Sequence, residues 1–115
     1  MSLIEKLRKS RETLVPAGGY EFTIRRPTDL EVHEYRNLSL KFSELLKNFV
    51  VNWNLTELDI VPGGTGVAVV FSSELFMEWV ADRDDLWDVL VKAILESYET
   101  HRVAQEAALG KPDAG

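Results

Sequence analysis

The stretch that decides the fold is Asp84-Asp85-Leu86-Trp87-Asp88-Val89-Leu90-Val91-Lys92-Ala93-Ile94, continued by Leu95-Glu96-Ser97-Tyr98. Leu86, Leu90, Ile94 and Tyr98 recur at steps of four, with Trp87 and Val91 beside them, so they line one face of an amphipathic helix. Asp84 is a favourable N-cap, and acids in the first turn complement the positive end of the helix dipole. The pattern predicts a long final helix over 85–109, thinning beyond His101 to Val103, Ala104, Ala107 and Ala108. Asp82-Arg83-Asp84-Asp85 separates this helix from a shorter one. That one is capped by Ser72 or Ser73 and holds Leu75, Phe76, Trp79 and Val80.

Working back towards the N-terminus, Val67 to Phe71 is β-branched and aromatic, which predicts a short strand or extended segment. Pro62-Gly63-Gly64-Thr65-Gly66 reads as a loop, and Leu55 to Ile60 as one irregular turn. Asn52 and Asn54 favour a stop or turn around Trp53. Before them, Tyr35, Leu38, Phe42, Leu45 and Phe49 recur at steps of three and four, and Leu46 widens the stripe. Thr28 and Glu31 have the spacing of a capping box, so one long helix is expected from there to about Val50. Tyr20, Phe22 and Ile24 alternate with polar residues as in a half-buried strand, and Val15-Pro16-Ala17-Gly18-Gly19 reads as a break before it. Ser2 to Glu12 predicts a short helix with Leu3, Ile4 and Leu7 on one face.

The expected fold class is mainly α (α+β). It is a small helical domain with two long helices, one or two short ones and a minor β-hairpin-like element. The spacing permits Tyr20–Ile24 and Val67–Phe71 to form that element by pairing. The expected core is Leu38, Phe42, Leu45, Leu90 and Ile94. A chain of 115 residues fits one domain, here 1–109, and composition makes 110–115 a disordered tail. There is no internal repeat.

Charge and composition narrow the function. Residues 1–26 hold six basic and three acidic side chains, and residues 27–115 hold seven basic and sixteen acidic, for a net charge of −6. The acidic bulk repels phosphate backbones, so no nucleic-acid partner is expected. The longest nearly apolar run is too short to span a bilayer, so no membrane partner is expected either. The absence of cysteine removes disulfides, thiolate metal sites and a Cys nucleophile, and suits a reducing compartment such as the cytoplasm. No secretory signal is read at the start of the chain.

Three constellations invite chemistry and fail on spacing. His33 and His101 lie beside carboxylates, the minimum for a general base, but no Gly-x-Ser-x-Gly elbow or His-x-x-x-His supports them. Two surface histidines are the simpler reading. The glycines of 62–66 lack the Lys of a phosphate-binding loop and precede a strand-like segment rather than a helix. Asp82, Asp84, Asp85 and Asp88 lack the Gly and closing Glu of a calcium loop, and helix capping accounts for them. No catalytic, cofactor-binding or metal-ligating residue is therefore assigned. The aromatic residues remain. Most must be core, but a partly exposed subset would form a patch for another polypeptide, since Trp and Tyr dominate interface hot spots. The candidates are Trp53, Phe76, Trp79 and Trp87.

The order of features carries a resemblance over about residues 20–105. A helix ends in Val50-Val51-Asn52-Trp53, followed by a Leu/Asp/Gly-rich loop. An extended Val69-Val70-Phe71-Ser72-Ser73-Glu74 segment leads to a short helix with Phe76 and Trp79. An Asp-rich break with Leu86-Trp87 then opens the long final helix. This resembles the tail assembly chaperones of long-tailed bacteriophages and prophages. The resemblance implies a non-enzymatic role in the host cytoplasm: binding the tape measure protein, shielding its amphipathic helices and recruiting tail tube subunits. Many such chaperones are also made in a longer frameshifted form, and Gly110-Lys111 is compatible with the codon pair at which the frameshift occurs. Uncovered apolar surface would further lead to homo-oligomers. The alternatives are a structural head–tail joining or tail-completion protein, and a small enzyme whose site the sequence does not reveal.

Overall fold

The computed structural model describes residues 1–35 and 41–110. They form a mainly helical α+β domain of six helices and one three-stranded antiparallel sheet. The elements, in order, are α1 (Leu3–Lys9), β1 (Glu12–Ala17), β2 (Tyr20–Arg25), α2 (Asp29–Tyr35), α3 (Phe42–Phe49), β3 (Val50–Trp53), α4 (Glu57–Ile60), α5 (Ser73–Val80) and α6 (Asp84–Gly110).

Strands β1 and β2 are joined by Gly18 and Gly19, with φ of +60° and +84°. Two successive residues at positive φ make the tight turn whose twist matches a hairpin, and glycine adopts it without steric penalty. The register pairs Val15 with Phe22 and Ala17 with Tyr20, which places Val15, Ala17, Phe22 and Ile24 on the buried face. The expected break over Val15–Gly19 is thus mostly strand. Pro16 is tolerated because β1 is an edge strand. In a hairpin with a two-residue turn, Glu12, Leu14 and Pro16 direct their amides away from β2, so the proline forfeits no ladder bond.

The other side of β2 is occupied by β3, with Phe22 opposite Trp53 and Ile24 opposite Val50, and a shift of register between Thr23 and Ile24. The expected turn at Asn52 is therefore a strand. It closes where the Asn54 amide donates to the Glu21 carbonyl (3.1 Å) and the Glu21 amide donates to Asn54 Oδ1 (2.9 Å). With both sides of β2 filled, the segment 67–71 cannot pair with Tyr20–Ile24 as expected. It runs extended and makes a single bridge, Thr56 to Ala68.

The same pairing explains why the predicted long helix is broken. The chain leaves β2 at Arg25 and must return to Val50 beside Ile24. A continuous helix over 29–49 would carry it about 31 Å away. Instead α2 and α3 are separate, and Lys41, at φ −85° and ψ 157°, is extended where α3 begins. The capping box at α2 forms as expected: the Glu31 amide donates to Thr28 Oγ1 (3.2 Å) and the Thr28 amide to Glu31 Oε1 (3.0 Å). Glu31 also receives Arg25 on both oxygens at 2.8 Å.

The core is built from the inner sheet face, Leu46 and Phe49 of α3, Phe76 and Val80 of α5, and Leu86, Leu90, Val91 and Ile94 of α6, with Leu55 beneath them. Leu90 and Ile94 are buried as expected, and Leu45 packs against the core from its margin. Phe42 does not: at the first turn of α3 it stays 48% exposed. Leu38 lies outside the described residues, as does the tail beyond Gly110. The first half of α6 covers the sheet, and its second half extends a molecule of 63 × 35 × 23 Å. No helix of the described residues is long and apolar enough to cross a membrane.

The Asp29 carboxylate meets that second half at three residues. Asp29, at the start of α2, accepts from Tyr98 Oη (3.0 Å) and Gln105 Nε2 (2.9 Å), and His101 Nε2 lies 3.2 Å away. These bonds, Gln105 and Tyr98 first, hold the Asp29 carboxyl at about 2, below its ordinary 3.8. Arg25 and then Thr28 hold Glu31 at about 2, against an ordinary 4.5. Both groups bind protons more weakly folded than unfolded. Their stabilisation is complete above about pH 4.5 and is lost as pH falls towards 2. The melting temperature should drop across that window, and Asp29→Asn should remove part of the dependence. An Asp29→Asn protein whose acid titration superimposes on the parent's would contradict this.

Candidate functional site

Of the four aromatic residues picked out from the sequence, two are inside. Phe76 is 0% and Trp53 7% exposed. The Trp53 ring stands edge-on to Phe71 at 5.3 Å, Trp79 at 6.1 Å and Phe76 at 6.2 Å, and its Nε1 donates to the Val69 carbonyl at 2.8 Å. This is what the extended 67–71 segment does: it walls the ring in and satisfies the indole. Neither Trp53 nor Phe76 can meet a partner without opening the core.

Trp79 is half-buried and already occupied. It packs on Tyr20 at 5.7 Å, donates to the Asp59 carbonyl at 3.3 Å, and lies beneath the Arg83 guanidinium at 5.1 Å. Arg83 is in turn held by both oxygens of Asp85 at 3.0 Å. That ion pair keeps the Arg83 pKa raised and the Asp85 pKa lowered.

Trp87 is different. Its Nε1 donates to the Val80 carbonyl at 2.7 Å, which pins the ring across the corner between α5 and α6. It thereby forms one wall of a groove of about 350 Å³ lined by Phe42, Leu46, Met77, Val80 and Ala81, with Ser43 at one side. Phe42 and Leu46 are one turn apart on α3, and Met77, Val80 and Ala81 share one face of α5. The lining is almost wholly apolar. The surroundings are net acidic: residues 72–91, along one wall, carry six acidic side chains and one basic, and residues 41–47, along the other, carry one acidic and two basic. An apolar trough between walls of net negative charge suits an amphipathic segment bearing cations beside its apolar face.

Sequence reasoning assigned Phe42 to the core and did not single out Met77 or Ala81. One signal was available. Leu75, Phe76, Met77, Trp79, Val80 and Ala81 surround α5 with apolar groups, more than one buried face of a short helix accounts for.

The other constellations are accounted for by the fold. His33 is exposed on α2, and His101 serves the Asp29 contact. The 62–66 loop folds onto α4: the Thr65 amide donates to Glu57 Oε1 (2.8 Å) and the Leu58 amide to the Thr65 carbonyl (2.8 Å). Among the described residues, no three His, Asp or Glu side chains converge as metal ligands would. Comparison of the chain with family models, characterised proteins and solved structures gives no match.

Proposed function

We propose that this protein is a non-enzymatic chaperone of phage tail assembly. In this reading it acts in the host cytoplasm and holds amphipathic helices of the tape measure protein until tail tube subunits arrive. The observation that carries the reading is the groove of Phe42, Leu46, Met77, Val80, Ala81 and Trp87. It is an apolar trough, and its net-acidic walls would select clients with basic flanks. The order of sequence features over about residues 20–105 adds the phage context.

The test is co-expression with a tape measure protein, read as the soluble fraction of the client, together with peptide binding by fluorescence anisotropy. Client solubility should rise. Phe42→Ser, which removes a half-exposed ring and should leave the fold intact, should weaken binding of a basic amphipathic helix about tenfold. A client no more soluble with the protein than without it would refute the proposal. Recovery of the protein in finished particles would favour a structural tail component instead.

A further inference from the structure

The groove has a counterpart on the same chain. Helix α1 has no buried residue. Leu3, Ile4 and Leu7 line one face and are all exposed, as is Met1 before them. Residues 1–11 carry four basic side chains and one acidic, opposite in sign to the margin of the groove. The helix is nonetheless well made: Ser2 and Glu5 close a capping box, so it is an ordered ligand rather than a frayed end.

We propose that the groove takes α1 of a second copy of this chain, so that the protein self-associates head to tail through an apolar contact framed by opposite charges. This rests on the groove being a helix-binding site, as argued above. The helix cannot reach its own groove. It joins β1 at the Arg25 end of the hairpin, where the Arg26 amide donates to the Arg11 carbonyl at 2.8 Å and leaves no slack. The groove lies towards the other end: Leu86, next to Trp87, packs against Gly18 at the turn. Six-residue strands put about 20 Å between those ends. A second copy satisfies both surfaces. Because the two surfaces differ, the contact is heterologous and propagates into rings or filaments unless it is blocked. An α1 seated in the groove also excludes a client, so assembly and client binding compete for one site.

The experiment uses sedimentation velocity over a range of concentrations with three proteins: parent, the double variant Leu3→Asp/Leu7→Asp, and Ala81→Arg. Circular dichroism melts confirm that each is folded. The parent should grow in mass with concentration and shrink at high salt, as opposite charges are screened. Each variant should be monomeric alone. Mixed, they should form a dimer capped at one to one, since one keeps its groove and the other its helix. The double variant should still bind an amphipathic basic peptide, which separates failure of self-association from failure of the groove itself. A parent monomeric at all concentrations overturns the inference. So does persistent association of the double variant, or a mixture that stays monomeric. A double variant that binds peptide more tightly while the parent's mass never changes would place α1 in its own groove and likewise overturn it.

Discussion

Phe76→Ala should destabilise the protein by about 3–5 kcal/mol and lower its melting temperature by roughly 10–20 °C. Phe76 is fully buried where the sheet, α5 and the 67–71 segment meet. Its ring lies 5.8 Å from Phe71, 6.1 Å from Phe22 and 6.2 Å from Trp53. Removing it forfeits the transfer energy of the ring, leaves a cavity, and strips Phe22 and Trp53 of an edge-to-face partner. Those neighbours cannot collapse into the space. Phe22 is fixed by its strand register opposite Trp53, and Trp53 by its bond to Val69. For a domain holding about 5–15 kcal/mol in total, much of the folded population is at stake. Urea denaturation measures it, and a loss below about 1 kcal/mol would show that the aromatic cluster is not the centre of the core.

Gly18→Val should cost about 2–4 kcal/mol, and Gly19→Asn about 1 kcal/mol or less. Both glycines sit at positive φ in the hairpin turn. At Gly18, however, an added Cβ would stand 2.7 Å from Leu86 Cδ2, whereas at Gly19 nothing lies within 4 Å. Valine at 18 therefore meets two penalties, a β-branched side chain in the left-handed region and a collision with a core leucine of α6. Asparagine at 19 meets little of either. Equal effects at the two positions would mean that the hairpin turn is not packed against α6.

Much of the helical fold is legible in the sequence because it is written in short-range periodicity. The stripe from Leu86 to Tyr98, the Ser72 cap and the Thr28–Glu31 box each specify their elements within a few residues. What is not legible depends on pairing between distant segments. Pro16 reads as a breaker unless it is known that β1 is an edge. Val50–Trp53 reads as a helix end unless Ile24 is known to lie beside it. The broken long helix follows from that second pairing, so one unseen strand changes the reading of about twenty residues. For the groove, Trp87 was visible, but hydrophobicity alone does not say which face of a ring is covered. Trp53 and Phe76 are as apolar as Trp87 and lie inside. Phe42 fits the stripe of α3 and lies outside, because it stands in the first turn of that helix, beyond the part that packs on the core.

The proline of β1 has a consequence beyond the hairpin. Unpaired amides along the margin of a sheet are an open template for strands of other chains, the usual route to ordered aggregates. Of the three outward amides of β1, Pro16 deletes one, and Glu12 places a charge beside another. Two copies meeting at high concentration therefore find little to zip together along the sheet, and their contacts are steered towards helical surfaces that can release again.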